Sequence, residues 1–288
     1  MIKTIQASTN MYNFNKKIIS EINTNGFCKI DNFFKEEDLK DIDLKLKTIR
    51  EKKVIKGDRV SYFPVDVKSF AINLLKLKFQ KIFQGVKLNN FSKNYSLKKI
   101  ADEYFNSETN LKHIDSYFSP ISNEKIIDWH ADIPINLSTN PDKYKKWQRH
   151  LKFFIYLTDV DHNNGCLAYL PKSNKINKAI SKLVLRKQIK IDRFTELTKM
   201  REILLNNKEL RHLLELEIEI GKDKLDQFID NTKFVEKDGD TTSFDIKLKK
   251  GGMIIFDEFG FHRGSSPALT DRVVLRFLYK PKYYLYQS

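Results

Sequence analysis

Three side chains stand out as a chemical set: His130 and Asp132, within Trp129-His130-Ala131-Asp132, and His262 far downstream. In a β-strand, residues i and i+2 project to the same face, so such a pair can close on one ion; on a helix the two would splay apart. Ile126-Ile127 before the pair and Ile133 and Ile135 after it are the β-branched residues a strand favours. His262 follows Gly251-Gly252-Met253-Ile254-Ile255-Phe256, an apolar run entered by glycines. That pattern predicts a buried strand with the histidine at its end or in the next loop. Two histidines and one carboxylate on one face of an iron, with the opposite positions open, form the facial triad of non-haem Fe(II) oxygenases. A second pair, His113-Ile114-Asp115, has the same spacing, and spacing alone does not choose between them.

The elements that would position these residues are legible in outline. A short amphipathic helix is expected over Asn15 to Asn23, ended by Asn25-Gly26, then a strand over Phe27 to Ile30. Phe33 to Arg50 predicts a helix, with Lys35-Glu36-Glu37-Asp38 placing acids where the helix dipole favours them. Val67 to Phe83 and Ser96 to Phe105 carry helical spacing, with Gly85 and Asn89-Asn90 expected as breaks. Extended segments are expected at Leu111 to Phe118, Lys152 to Leu157 and Cys166 to Leu170, the last two joined by the turn-rich Asp159 to Gly165. Ile176 to about Glu236 reads instead as a charged helical insertion, with apolar positions at Leu197, Met200, Ile203, Leu204, Leu210, Leu213 and Leu214. It is too long for an ordinary connection and predicts a lid beside the site. Thr242 to Leu248, Met253 to Phe256 and Val273 to Tyr279 return to strand character.

Composition narrows the class. At 288 residues, with 41% hydrophobic and 31% charged, the chain is expected to form one soluble domain over residues 1–288. No apolar run reaches the roughly 18 residues of a membrane span. Met1-Ile2-Lys3-Thr4-Ile5-Gln6 lacks the apolar segment of a signal peptide, which predicts a cytoplasmic protein. Cys28 and Cys166 have neither disulfide-framework nor zinc spacing and are expected as buried thiols. The net charge of +15 would attract polyanions, but lysine is spread from end to end without the dense basic cluster of nucleic-acid binders. A small-molecule substrate, anionic or carrier-linked, is expected ahead of nucleic acid. Lys182, Arg186, Lys187, Lys190, Arg193, Lys199, Arg201, Lys208 and Arg211 in the insertion would steer such an anion if they lay near the mouth.

Taken in order, these residues resemble the phytanoyl-CoA dioxygenase family of Fe(II)/2-oxoglutarate oxygenases over most of the chain. Asn25-Gly26-Phe27-Cys28-Lys29-Ile30-Asp31-Asn32-Phe33-Phe34 is similar to that family's first strand and the helix it feeds. Trp129-His130-Ala131-Asp132 resembles its metal motif, and Tyr156-Leu157-Thr158-Asp159-Val160-Asp161 with Asn164-Gly165-Cys166-Leu167 its central hairpin. Gly252 to Phe256 followed by Phe261-His262-Arg263-Gly264-Ser265 resembles the strand and loop that deliver the distal histidine.

The resemblance implies a double-stranded β-helix of jelly-roll or cupin type with helices outside, mainly β, in which His130, Asp132 and His262 bind Fe(II) and form the catalytic set. It implies 2-oxoglutarate as cosubstrate with O2, held by Arg272 with Ser265 as a second contact; Arg276 is the alternative arginine. A guanidinium suits the task because its planar fork pairs both oxygens of a carboxylate. The chain departs from the family pattern at Pro171-Lys172-Ser173-Asn174, where a glycine and histidine are usual, and in one extra residue between His262 and Ser265. The family's halogenases lack the carboxylate ligand, so Asp132 implies hydroxylation or desaturation. Two other classes remain open: a metal-dependent hydrolase or isomerase on the same barrel, and a non-catalytic module binding an anion or nucleic acid.

Overall fold

Alternation of side chains along the strands sorts the apolar residues into three separate layers, and this sorting places the histidines. The computed structural model describes residues 4–6, 11–40, 42, 59–61, 79–122, 127–135, 150–236 and 242–282. In chain order the strands are β1 Thr4–Gln6, β2 Phe27–Asp31, β3 Arg59–Ser61, β4 Thr109–Ser119, β5 Ile127–Ile135, β6 Leu151–Tyr156, β7 Leu167–Tyr169, β8 Phe194–Glu196, β9 Asp245–Ile246, β10 Met253–Asp257, β11 His262–Gly264 and β12 Arg272–Pro281. The helices are α1 Met11–Asn25, α2 Phe79–Asn94, α3 Leu97–Phe105, α4 Ser173–Leu185, α5 Leu197–Asn206, α6 Lys208–Leu216 and α7 Gly221–Glu236.

One sheet runs β1-β2-β10-β6-β12-β4-β3 and the other β8-β5-β11-β7-β9. Every pairing is antiparallel except β1 with β2. Two facing antiparallel sheets with helices outside make the jelly-roll that the resemblance implies.

The seven-stranded sheet sends Leu151, Phe153, Ile155, Met253, Ile255, Leu275 and Phe277 outward onto α1, α2 and α3. Its opposite face sends Tyr156, Ile254, Phe256 and Val274 inward, against Leu167, Tyr169 and Ile246 of the second sheet. That second sheet turns Trp129, Ala131, Ile135 and Ala168 the other way, onto Leu210, Leu214, Leu225 and Phe228 of the insertion. Because successive residues of a strand alternate faces, Trp129 and Ala131 packing outward forces His130 and Asp132 inward.

The insertion is α4, then β8, which adds an edge to the five-stranded sheet beside β5, then α5, α6 and α7. Its apolar stripe is consumed by the outer face of that sheet, so its helices form a layer behind the site. Gly85 and Asn89-Asn90 do not break the chain there: α2 runs through them. Leu88 and Phe91 of α2 are buried, and Phe91 stacks 5.1 Å from Phe34 and 6.2 Å from Phe277. Such packing outweighs the modest helix penalties of Gly and Asn. The helix expected from Phe33 is present at residues 36–40, while most of its length, and 67–78 of the next, lie outside the described residues. Thr242 to Leu248 is a 3-10 turn, Thr242–Phe244, followed by the two-residue β9. No described helix is long and apolar enough to cross a membrane.

Since Leu210 is fully buried between the insertion helices and the sheet, Leu210→Ala is expected to cost about 2–5 kcal/mol. Thermal unfolding should show the loss as a lower Tm of the whole domain in one transition; an unchanged Tm would mean the helical layer unfolds apart from the barrel.

Candidate metal centre

β11 pairs with β5 so that His262 lies directly across from His130. Asp132, two residues along β5, completes the group, and the ligand atoms of the three lie within 4.8 Å of one another. Nε2 of His262 is 3.0 Å from Oδ2 of Asp132, and Nε2 of His130 is 3.7 Å from its Oδ1. Ligands about 2.1 Å from an ion and at right angles would lie about 3 Å apart, so little closure is needed to bind one. The two imidazole centroids are 4.6 Å apart.

The far side of each ring fixes its protonation. Nδ1 of His130 lies 2.7 Å from the carbonyl of Asp128, and Nδ1 of His262 lies 3.0 Å from that of Gly260. A carbonyl can only accept, so each Nδ1 carries a hydrogen, and Nε2 is the nitrogen of each ring that a metal ion would take in place of a proton. Acceptors then converge on one point, an arrangement that a cation relieves and that matches metal-site histidines held by an outer carbonyl. The donor set of two imidazoles and a carboxylate with open positions opposite fits a non-haem Fe(II).

Gly260 makes the delivery of His262 possible. A Cβ there would lie 1.8 Å from the Tyr169 hydroxyl, so only glycine lets this loop pass Tyr169 and present its carbonyl to the ring.

A second layer of charge, which the motif reading did not include, stands behind Asp132. Nζ of Lys152, on β6, donates to Asp132 Oδ2 at 2.5 Å and to Glu258 Oε1 at 2.8 Å. Oε2 of Glu258 lies 2.6 Å from Nδ1 of His150. Lys152 and Glu258 are both about 5% exposed. A lone lysine inside Leu151-Lys152-Phe153-Phe154-Ile155-Tyr156, a strand buried on both faces, was the signal available in the sequence.

Burial opposes charge on Asp132, but Lys152 and His262 outweigh it and hold the carboxyl well below the usual carboxylate range. Burial likewise works against ionised Glu258, yet Lys152 and His150 lower its pKa to about 2. For His130, desolvation disfavours the proton, while Asp132 and the Asp128 carbonyl outweigh it and raise the pKa. A metal ion would compete with that proton directly.

Arg272 and Arg276 part company. Arg276 forks onto Asp115, its Nε 2.6 Å from Oδ1 and its NH2 on Oδ2, with both side chains almost wholly buried. The second HxD pair therefore has its carboxylate bound by the alternative arginine, on the sheet opposite β5. Arg272 is held by oxygens instead: NH1 donates to the carbonyls of Gly165 and Ser265 and NH2 to Ser119 Oγ at 2.9 Å. Ser265 offers Arg272 its carbonyl, whereas its hydroxyl accepts from Arg263 at 2.7 Å. Trp129 faces away from the histidines, edge-on to Phe244 and under the Arg263 guanidinium.

Comparison with known proteins gives the family and the fold. Residues 22–272 match the family model for phytanoyl-CoA dioxygenase (PhyH). Among solved structures, AviO1 from Streptomyces viridochromogenes superposes with a TM-score of 0.53 at 11% identity, over 97% of this chain and 98% of that one. SnoK, an α-ketoglutarate-dependent carbocyclase from nogalamycin biosynthesis, gives 0.55 at 12% identity, over 95% and 86%. HygX from Streptomyces hygroscopicus, with nickel and 2-oxoglutarate bound, gives 0.51 at 15%, over 93% and 87%. At these identities the likeness is one of fold. A search of curated proteins finds no significant sequence match.

Asp132→Ala is expected to abolish stoichiometric metal binding with a smaller loss of stability than Asp115→Ala, because Glu258 still pairs with the buried Lys152. Asp115→Ala should do the reverse: metal content near wild type, but a destabilisation of about 3–5 kcal/mol from stranding the buried Arg276 charge. Metal analysis and thermal melts of both variants check this, and iron lost from Asp115→Ala but kept by Asp132→Ala would transfer the site to the other pair.

Proposed function

This chain belongs to the phytanoyl-CoA dioxygenase family, and we propose that it is an oxygenase that attacks a C–H bond of a small molecule, hydroxylating or desaturating it. The family works with Fe(II) and 2-oxoglutarate, and these are the chain's cofactors. In this reading His130 Nε2, Asp132 and His262 Nε2 hold the iron, and Arg272 takes the far carboxylate of 2-oxoglutarate. The observation that carries it is the convergence of three acceptor atoms from β5 and β11, with both imidazoles locked by carbonyls into the ligating tautomer.

With O2, the bound iron and 2-oxoglutarate supply the oxidising power for C–H cleavage, and 2-oxoglutarate leaves as succinate and carbon dioxide. The protein's part is to bind, orient and exclude water. The carbonyls of Asp128 and Gly260 keep both rings turned to the metal. Arg272, pinned by Gly165, Ser265 and Ser119, is pre-aimed, so little side-chain entropy remains to be lost when a carboxylate docks. Ser265 in this reading acts through its carbonyl as a positioner of Arg272. Arg276 is spoken for by Asp115, and a carboxylate arriving there would have to displace a bidentate ion pair. Phe256, 5.1 Å from both His262 and Phe154, supports an apolar wall beside the metal. The reading takes the barrel and the insertion at about 176–236 as one domain.

The test is anaerobic loading with Fe(II) and 2-oxoglutarate followed by admission of oxygen. Succinate should appear with iron and not without it, and a protein that forms none under any metal or substrate panel would overturn the assignment. Arg272→Lys is expected to weaken 2-oxoglutarate binding by about tenfold or more, because one point charge replaces a two-pronged contact. Iron content should stay at the wild-type level. Damage from Arg276→Lys without damage from Arg272→Lys would move the role to Arg276.

A further inference from the structure

We infer that Lys152 is a positioning residue that keeps coordination positions on the metal open, by limiting Asp132 to one ligating oxygen and holding the Glu258 carboxylate off the ion. The inference rests on the ligand set proposed above and deepens it.

Lysine is almost never fully buried unless it is paired. Here the ammonium sits between two carboxylates, 2.5 Å from Asp132 Oδ2 and 2.8 Å from Glu258 Oε1. Its stem is fixed as well: Lys152 pairs with Phe256 across β10 and with Leu278 across β12, and its Nζ lies 5.6 Å from the Phe256 ring centroid. Glu258 is equally constrained, by Nδ1 of His150 at 2.6 Å and by its own backbone N–H on the His150 carbonyl at 3.2 Å. A buried carboxylate is thus stationed one ammonium away from a metal ligand.

Divalent cations take hard oxygen ligands readily, and a buried, uncompensated carboxylate beside one would be drawn onto it. Asp132 carries the same hazard in its second oxygen, since a carboxylate can ligate through one oxygen or both. The facial triad works only if the positions opposite its three ligands stay free. Lys152 answers both hazards with one group: it takes up part of the Asp132 carboxylate, so that this side chain ligates through a single oxygen, and it gives Glu258 a cation of its own. His150 holds the far oxygen of Glu258 and stops the side chain from turning past the lysine. A network built only to strengthen ligand binding would need no second carboxylate, and one built only to stabilise the core would not end on Oδ2 of a ligand.

The experiment compares wild type, Lys152→Met, Glu258→Gln and the double variant Lys152→Met/Glu258→Gln, each loaded anaerobically with Mn(II). Water-proton relaxation reads the number of metal-bound waters, and titration reads the dissociation constant of 2-oxoglutarate. Lys152→Met should bind Mn(II) at least as well as wild type, with fewer bound waters and 2-oxoglutarate affinity lower by about tenfold or more. Removing Glu258 as well should return both readings close to wild type. A merely structural lysine predicts that the double variant stays as impaired as the single one, and that result overturns the inference, as does Lys152→Met with unchanged waters and affinity. If Lys152→Met fails to fold, Glu258→Gln carries the test: wild-type waters and affinity support the inference, and a tenfold loss of affinity, which would make Glu258 a needed group, overturns it. A wild-type protein that binds neither Mn(II) nor 2-oxoglutarate overturns the ligand set itself, and the inference with it.

Discussion

The register between β5 and β11 is the constraint on which the rest depends. His262 sits across from His130, and both point into the space between the sheets because Trp129 and Ala131 are packed on the other side. A slip of one residue along β11 would turn His262 out and bring Arg263 in, since strand side chains alternate with a period of two. Arg263 is tied to the outer side by Asp245 at 2.9 Å and by its approach to Trp129. The insertion helices that bury Trp129, although far from the histidines in sequence, therefore help to hold them inward.

Once the histidines face inward, the electrostatics follow. Their Nδ1 hydrogens are consumed by backbone carbonyls, so both Nε2 atoms are turned to the Asp132 oxygens, a grouping that could hold a metal ion. Every buried charge nearby is matched in turn: Asp132 and Glu258 with Lys152, Glu258 with His150, Asp115 with Arg276. Burial of ion pairs is tolerated when geometry and hydrogen bonding are complete, and breaking one partner away is costly. The interior is therefore a set of interlocked charges, and a substitution at one member is felt at the others.

How much of this could be read from the residues alone varies with how local the signal is. The HxD spacing, the alternation of β2 and the apolar runs of β6, β10 and β12, with glycines entering β10, are local patterns, and each strand is found where its pattern falls. What separates His113-Ile114-Asp115 from His130-Ala131-Asp132 is not local, because Asp115 is paired with Arg276, far away in sequence. β8 was missed because three residues within a charged, helical stretch carry no period of their own. The breaks expected at Gly85 and Asn89-Asn90 were overridden by aromatic packing around Phe91. Lys152 and Glu258 left only one trace, a charge in an apolar run, and what they pair with depends on strand order.

The positive charge of the chain has to be judged by where it lies. The net charge is +15, yet the helices of the insertion, which carry many of those residues, stand behind the five-stranded sheet with their apolar stripe turned to it. Several of their cations are already matched on the surface, Arg186 with Glu217, Lys199 with Glu202, and Arg211 and Lys222 with Asp226. Charges screened over roughly 8 Å at physiological salt act weakly through a packed sheet on the far side. The cations that could act on a substrate at the metal are those of the interior, and there Lys152 and Arg276 are held by carboxylates while Arg272 is held by two carbonyls and a hydroxyl. A carboxylate arriving at Lys152 or Arg276 would have to displace the acid already paired there. Under the role proposed for Arg272, the field that matters for recognition is local to one guanidinium, so changing it alone should move cosubstrate affinity while the abundant lysines of the outer helices leave it unaltered.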